Sequence, residues 1–332
     1  MATRSDVAKL AGVSTAVVSY VINDGPRPVA SSTRKKVEDA IAVLGYRPNI
    51  HAAVLRGGKT RTVAALLPNL TNPFFAEFAE LLHKLLFEQD YNLTVSIVQA
   101  GSAHEREVVR SIVARGVDAV IYTSVESHAN TQHLLNQNTQ VALFNCAETI
   151  SNAVNVRADY AALTQSAVEF LRFRGHSLIG LLAGPRSLKE SSQQVTAWRR
   201  SLSDAGLPHG KELVVHSDHS PESAANAAAV LFDSDGAATN RYSRSPTAVV
   251  VASDVQALGL IQKCANLGIS VPDQLALISL EGTRLARFTQ PPLTTVRQPL
   301  EYMCDELVLR IASENAFFEL SVDGNVVAGG TA

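Results

Sequence analysis

The chain has 332 residues, with 29 lysines and arginines against 31 aspartates and glutamates. This length exceeds what one hydrophobic core usually holds and predicts two or three domains. Three cysteines, Cys146, Cys264 and Cys304, are too few and too widely spaced for a disulfide framework or a zinc site. No apolar run reaches the roughly 18 residues of a membrane span, and no signal peptide precedes the first elements. We therefore expect a cytoplasmic protein that does not bind membranes.

The near-neutral total conceals an uneven distribution of charge. Residues 1–60 hold nine basic and four acidic side chains, a net charge of +5, whereas the remainder holds 20 basic and 27 acidic side chains, a net charge of −7. A basic segment suits contact with phosphate groups, and an acidic one does not. The N-terminal head is therefore the candidate for nucleic-acid binding.

The head opens with two predicted helices. Thr3 is a suitable N-cap for a helix over 4–11, with Asp6 three residues later, and Gly12 suits the left-handed residue that ends a helix. Ser14 is predicted to cap a second helix over 15–23. Short helices joined by a glycine-containing turn form a helix-turn-helix, whose second helix enters the DNA major groove.

A third helix is predicted over 32–44, with Gly45 at its end. The turn Tyr46-Arg47-Pro48-Asn49 follows, with Asn49 as the N-cap of a short helical segment. Seven or so residues are too few for a stable isolated helix. We therefore interpret 1–47 as the DNA-binding head and 48–60 as a hinge helix and linker that becomes ordered on DNA.

From residue 61 the pattern changes to alternating strands and helices. Apolar runs such as TVAALLP, AVIYTS, TAVVVAS and LALISLE are predicted strands, with helices predicted between them over 74–88, 160–174 and 257–267. This alternation predicts an α/β fold of parallel sheets covered by helices. Two such units would enclose a cleft at the carboxyl ends of their strands.

Several strings of this sequence resemble the LacI/GalR family of bacterial repressors. They are DVAKLAGVS, TRKKVEDAIAVLGYRPN, TNPFFAEF, PTAVVVASD and PPLTTVRQP, in the family's order from about residue 3 to residue 310. The resemblance implies a helix-turn-helix head and a two-lobed, periplasmic-binding-protein-like sensor with three crossovers between the lobes. We place the crossovers near Arg157, Arg287 and Phe317. The N-terminal lobe is then 61–157 with 288–316, and the C-terminal lobe is 158–287 with 317–332.

The resemblance also implies three base-reading positions on the second helix, here Thr15, Ala16 and Tyr20. Thr15 and Ala16 are small and suit contact with a thymine methyl group. Tyr20 stands where the family often has arginine, so we expect an operator unlike the usual family half-site. A phosphate contact or a packing role is the alternative interpretation of Tyr20.

Other polar residues of the head are expected to contact phosphates or cap helices, which sets the register on DNA without reading its sequence. They are Ser14, Ser19, Asn23, Arg27 and Asn49.

Leu55 matches the family's lever leucine, which wedges into a minor-groove step and kinks the duplex. Ala52 is small enough for close approach to the groove, while Ala53 stands where the family often has arginine. Ordinary helix packing is the alternative interpretation of Leu55. Two hinge helices must meet at the centre of the site, so the resemblance implies a homodimer on a near-palindromic, double-stranded DNA operator.

For the cleft, the resemblance implies a small-molecule effector contacted by Phe74 or Phe75, by Asp254 after a buried strand, and by Glu281, where the family usually has aspartate. We expect at least one phenylalanine to be core, and helix capping is a second interpretation of Asp254. Carboxylates at the ends of parallel strands suit hydroxyl or amine groups of a ligand.

Gln194 stands where sugar- and purine-binding relatives commonly have arginine, and His219 takes a position that is aromatic in some of them. Trp198, one turn beyond Gln194, is interpreted as core. A cleft without that arginine disfavours phosphate or carboxylate ligands. It fits a neutral polyol, sugar or nucleoside, or a cation.

Two other classes of protein are disfavoured. No GxGxxG after a strand, GxxxxGK[ST], GxSxG or HExxH motif occurs, so we expect no catalytic residues, no metal site and no cofactor. A transport-type binding protein would have a signal peptide and no basic head. The predicted function is a dimeric repressor whose operator affinity is modulated by an effector. The alternative is an effector-independent or corepressor-dependent regulator of the same family.

Overall fold

The computed structural model describes residues 2–22, 25, 27–46, 59–99, 102–123, 128–231, 245–314 and 317–332. They belong to two compact units, Met1–Thr60 and Arg61–Ala332. Four predicted DNA-binding residues lie outside the described residues, namely Asn23, Asn49, Ala52 and Leu55.

The first unit contains three helices, α1 (Arg4–Ala11), α2 (Thr15–Ile22) and α3 (Ser31–Leu44). Thr3 caps α1 reciprocally with Asp6: the Thr3 side chain accepts from the Asp6 N–H, and the Asp6 carboxylate accepts from the Thr3 N–H at 2.8 Å. Gly12 ends α1 in the left-handed conformation, with φ 67°, as predicted. Helices α1 and α2 diverge by 103°, which is the geometry of a helix-turn-helix.

The head has its own small core. Val7, Val18 and Val37 contribute one fully buried side chain from each helix. Leu10 is 53% exposed, because Val7, Ala8 and Ala11 form the face of α1 that packs on the other helices. No single helix among the described residues is long and apolar enough to span a membrane. Helices α1 and α2 would together have the length and composition of a span, but only as a bent pair.

The second unit alternates strands and helices, as the apolar runs predicted. Its strands are β1 (Thr62–Leu67), β2 (Asn92–Ile97), β3 (Ala119–Tyr122), β4 (Gln140–Phe144), β5 (Val154–Ala158), β6 (Ile179–Ala183), β7 (Val214–His216), β8 (Ala248–Val251), β9 (Ala276–Ser279), β10 (Thr294–Arg297), β11 (Phe318–Val322) and β12 (Asn325–Val327). Its helices are α4 (Pro73–Glu88), α5 (Ala103–Arg115), α6 (His128–Asn136), α7 (Tyr160–Phe173), α8 (Lys189–Asp204), α9 (Pro221–Ala228), α10 (Asp254–Leu267) and α11 (Leu300–Ala312).

The strands form two six-stranded sheets, one in each lobe. The first has the order β11-β5-β4-β3-β1-β2 and the second β12-β10-β9-β8-β6-β7. All strand pairs are parallel except β10 with β12, which is antiparallel. The predicted α/β class, a helix-turn-helix head with a two-lobed sensor built on parallel sheets, is confirmed.

The sheets correct two of the predicted lobe boundaries. Strand β10 belongs to the second sheet, and β11 belongs to the first, so the divisions near Arg287 and Phe317 are wrong. The chain stays in the second lobe through Arg297, and α11 then packs on α4, β4 and β5 of the first lobe. The chain returns to the second lobe between β11 and β12. The first crossover follows β5, close to the position predicted near Arg157.

Candidate DNA-reading face and ligand cleft

The predicted base-reading positions lie on α2. Thr15 and Ala16 are exposed in its first turn, and the Ser14 side chain accepts a hydrogen bond from the Val17 N–H at 3.3 Å. Ser14 therefore caps α2 as predicted. Among the remaining predicted positions, Ser19 and Tyr20 are half-buried and Arg27 is exposed.

Tyr20 packs against a glycine, Gly25, that no feature of the sequence indicated. The Gly25 N–H donates to the Tyr20 carbonyl at 3.1 Å. A β-carbon built on Gly25 would lie 2.5 Å from Cδ1 of the Tyr20 ring and 3.2 Å from its Cα. The Tyr20 ring thus packs directly against the Gly25 backbone, where a side chain would not fit. A side chain at position 25 would therefore displace the Tyr20 ring.

The second candidate site is a cavity between the two lobes, with a volume of ≈ 620 Å³. Four of its lining residues directly follow strands, and Glu281 is the second residue after β9; the four are Pro68, Thr123, Asn145 and Ala252. The carboxyl ends of both sheets therefore face this cavity, as the rule for parallel sheets requires.

The two phenylalanines of the NPFF string both border the cavity but differ in burial. Phe74 is 5% exposed and belongs to the main hydrophobic core, while Phe75 is half-buried. Their rings meet edge to face, with centroids 5.6 Å apart. The expectation that one of the two is core thus fits Phe74, and Phe75 is the aromatic wall available to a ligand.

Glu281 joins the two lobes at the base of the cavity. Its Oε1 accepts from the Asn72 side-chain amide of the first lobe at 3.0 Å, and its Oε2 accepts from the Asp254 N–H at 2.9 Å. The Asn72 amide is oriented because its oxygen caps α4 through the Phe74 N–H. Burial, and secondly the negative charge of Asp254, raise the pKa of Glu281 to about 8.

Asp254 is not where the sequence analysis expected it. It is 1% exposed, is absent from the cavity lining, and binds only protein donors. Its carboxylate accepts from the Ser279 hydroxyl at 2.5 Å, the Gly282 N–H at 3.3 Å, and the Thr283 N–H and hydroxyl at 2.7 and 2.6 Å. The assignment of Asp254 to effector binding is therefore wrong: it anchors the loop that carries Glu281.

Gln194 and His219 both line the cavity. Gln194 Oε1 and His219 Nδ1 are buried and have no hydrogen-bond partner among the described residues. Burial lowers the pKa of His219, which favours the neutral ring at pH 7. Trp198 is fully buried in the main core, as interpreted from the sequence.

On one side of the cavity, the start of α8 reaches the loop that follows β4. Glu190 Oε1 accepts from the Ala147 N–H at 2.7 Å, and the Lys189 ammonium pairs with Glu148. These contacts cross from the second lobe to the first. Nothing in the local sequence marked them in advance, because each partner belongs to a different lobe.

On another side, Arg284 of the second lobe reaches α4. Its backbone N–H donates to Glu77 Oε1 at 2.8 Å, and its guanidinium pairs with Glu80 at 2.5 Å. Because the Arg284–Glu80 pair is exposed, it contributes little stability.

Side-chain amides of Asn145 and Gln298 form hydrogen bonds where the chain crosses between the lobes, and these contacts were not predicted. Asn145 donates to Gln298 Oε1 at 2.8 Å and accepts from the Ala158 N–H at 2.8 Å, and Gln298 donates to the Leu280 carbonyl at 3.0 Å. A polar residue directly after a buried strand was the available signal for Asn145. No group of three or more His, Cys, Asp or Glu side chains suited to a metal occurs among the described residues.

Gly25→Ala should disturb Tyr20. The new β-carbon would overlap the ring, and overpacking of this kind costs about 1–3 kcal/mol. We expect faster amide hydrogen exchange in α2, measured by mass spectrometry. Most of the effect should vanish when Tyr20 is also changed to Ala, and an equal effect in both backgrounds would contradict the proposed contact.

Asp254→Ala should destabilise the second unit rather than act on a ligand alone. It leaves buried donors of Ser279 and Thr283 unpaired, which should lower the free energy of unfolding by about 3 kcal/mol or more. Denaturant unfolding measures this loss. Asp305→Ala, at an exposed aspartate, is the control and should change stability by less than about 0.5 kcal/mol.

The pKa of Glu281 predicts a pH dependence of stability. The pKa is raised from 4.5 to about 8 by folding, so the folded protein holds a proton that the unfolded chain has lost across this window. The free energy of unfolding should then fall as pH rises from 4.5 to 8, by up to about 1.4 kcal/mol per pH unit from this group.

Denaturant unfolding at several pH values tests this sign. Glu281→Gln cannot titrate and should give a flatter profile over the same window, whereas Glu107→Gln, at an exposed glutamate, should run parallel to the wild type. A Glu281→Gln profile parallel to the wild type would show that Glu281 has an ordinary pKa.

Two family profiles match the chain, one over the head and one over part of the second unit. The family profile described as "Bacterial regulatory proteins, lacI family" matches residues 3–49, and the one described as "Periplasmic binding protein-like domain" matches residues 168–314. Catabolite control protein A of Priestia megaterium is 32% identical over 328 residues, 97% of this chain and 94% of the relative.

The HTH-type transcriptional regulator MalR of Streptomyces coelicolor is 34% identical over 325 residues, which cover 95% of this chain and 90% of MalR. Among solved structures, the transcriptional regulator CelR in complex with cellobiose matches with a TM-score of 0.72 and 25% identity, covering 100% of both chains. Given this full-length similarity, a helix-turn-helix head and a two-lobed body, the chain belongs to the lacI family of bacterial regulatory proteins, which are DNA-binding transcriptional regulators and not enzymes.

Proposed function

We propose that this chain is a dimeric repressor of transcription that binds a near-palindromic operator in double-stranded DNA and responds to a small molecule between its lobes. The observation that carries the proposal is the pairing of an exposed reading helix with a polar cavity in one chain. Thr15 and Ala16 are exposed on α2, and Gln194 and His219, which line the cavity, each have a buried polar atom without a hydrogen-bond partner among the described residues.

The head supports sequence-specific recognition. Small exposed side chains at Thr15 and Ala16 suit thymine methyl groups, and the Tyr20 ring, braced by Gly25, adds one larger contact. The hinge residues Asn49, Ala52 and Leu55, with Asn23 of the head, are proposed to act on DNA through the family resemblance. Two copies of the hinge are needed at the operator centre, which requires a homodimer.

The cleft supports a ligand of sugar, polyol or nucleoside type. Phe75 offers a ring face, and Gln194, His219 and Glu281 offer polar contacts. CelR, the relative of known structure with 25% identity, was solved with cellobiose. A change in lobe angle on ligand binding would move the first lobe, whose first strand begins two residues after Thr60. This displacement would bias the hinge between paired and separated states.

The test is selection of bound sequences from a random pool of double-stranded DNA by the purified protein, without added ligand. We expect a near-palindrome with a deformable central step such as a pyrimidine–purine pair. A motif without two-fold symmetry would refute the dimer. No enriched motif at all would refute repression in the ligand-free state and favour a corepressor-dependent regulator.

Leu55→Ala should weaken binding to the selected operator far more than binding to unrelated DNA. Loss of a minor-groove wedge should cost about 1–3 kcal/mol, roughly ten- to a hundredfold in affinity. Fluorescence anisotropy at one fixed salt concentration measures both affinities. Val54→Ala, which removes an apolar side chain next to Leu55, is the matched control, and equal losses on both kinds of DNA would refute the wedge.

A further inference from the structure

A short loop of the second lobe contacts one helix of the first lobe with both of its ends. The loop consists of residues 281–284 and begins two residues after β9. At one end, Glu281 accepts from the Asn72 side chain, which caps α4, at 3.0 Å. At the other end, the Arg284 N–H donates to Glu77 Oε1 of α4 at 2.8 Å. We call residues 281–284 the clasp loop.

The middle of the clasp loop is attached to the second lobe by buried hydrogen bonds. Asp254, which is 1% exposed, accepts from the Gly282 N–H at 3.3 Å and from the Thr283 N–H and hydroxyl at 2.7 and 2.6 Å. A β-carbon built on Gly282 would lie 2.6 Å from Cα of Arg297, so the loop also packs directly on β10. We therefore expect the loop to move together with the second lobe.

The Arg284 side chain adds an ionic contact to the same helix. Its guanidinium pairs with Glu80 at 2.5 Å and lies 3.6 Å from Glu77 Oε1. Glu77 and Glu80 are three residues apart and share one face of α4. The Glu77 side chain is only 18% exposed, and a carboxylate that accepts a backbone N–H forms one of the stronger hydrogen bonds. Arg284 thus binds α4 through both its backbone and its side chain.

A separate set of contacts between the lobes offers an independent measure of lobe separation. Glu190 Oε1, at the start of α8, accepts from the Ala147 N–H of the first lobe at 2.7 Å. These two residues belong neither to the clasp loop nor to α4. Opening of the lobes would break this hydrogen bond and expose the Ala147 amide to exchange with solvent.

We propose that the clasp loop holds α4 of the first lobe against the second lobe, and that it biases the lobe angle through the protein's own contacts. Arg284 is the adjustable part, because its side chain is exposed and acts through charge. In the proposed repressor the lobe angle acts on the hinge, so the clasp loop also influences operator affinity. This last step rests on the proposed function, whereas the clasp itself does not.

Arg284→Glu in the full-length protein tests the clasp. The change places a third carboxylate beside Glu77 and Glu80, and like charges repel. We expect the Ala147 amide to exchange about threefold faster or more, a factor within the range of an exposed ion pair. Hydrogen exchange resolved to single residues by mass spectrometry measures this rate. Wild-type exchange at Ala147 would confine the effect of Arg284 to α4 and overturn the clasp.

Two further variants separate the clasp from a general effect of charge. Arg200→Glu makes the same charge change in an exposed pair, Arg200 with Asp204, that lies within α8, and should leave exchange at Ala147 unchanged. Arg284→Glu combined with Glu80→Arg restores a pair of opposite charges and should return the rate towards that of the wild type. Equal acceleration by Arg200→Glu, or no recovery in the double variant, contradicts the proposal.

Operator binding tests the regulatory step. Without added ligand, the affinities of Arg284→Glu and Arg200→Glu for the operator selected by the wild type should differ by about threefold or more, measured by fluorescence anisotropy. Equal affinities together with faster exchange at Ala147 refute the regulatory step. If the wild type selects no operator, the proposed function fails and the regulatory step fails with it. The exchange measurements contain no DNA and decide the clasp in either case.

Discussion

The buried carboxyl group of Glu281 joins the two lobes of the body. Glu281 accepts from Asn72 of the first lobe and from the backbone of Asp254 in its own lobe, and Asp254 in turn gathers the donors of the following loop. The two partners of Glu281 are themselves held by hydrogen bonds. The Asn72 side chain caps α4, and the Asp254 carboxylate accepts from Ser279 and Thr283. A ligand that alters the environment of Glu281 therefore acts on both lobes at once.

The elements predicted best are those with local causes. The reciprocal cap of Thr3 and Asp6, the left-handed Gly12, and apolar runs such as β1 and β8 depend on residues a few positions apart. The last strands were harder. Strands β10 and β12 have four and three residues, and β11 alternates half-buried and exposed positions, so their assignment to a lobe depends on pairing that the sequence does not display.

The residues of the candidate cleft were likewise predictable from local position but not from their distant partners. Four residues border the cavity because they lie shortly after strands or on the first two turns of helices, a position that parallel sheets make predictable: Phe75, Gln194, His219 and Glu281. Asp254 occupies an equivalent position, yet its partners are 25 to 29 residues away in the chain and claim every lone pair that a ligand would use. Position at a strand end thus identifies the residues near a ligand, whereas the competing protein donors decide which of them stay available.

Gln194 also bears on how such a regulator diversifies. Both glutamine codons become arginine codons through a change of their middle base, so the side chain that leaves an acceptor open in this cleft is a single mutation from one that would bring a positive charge. The caps of α4 and α10 are formed by Asn72 and Ser253 and do not involve Gln194. The scaffold can therefore be inherited unchanged while the class of metabolite that it detects is replaced.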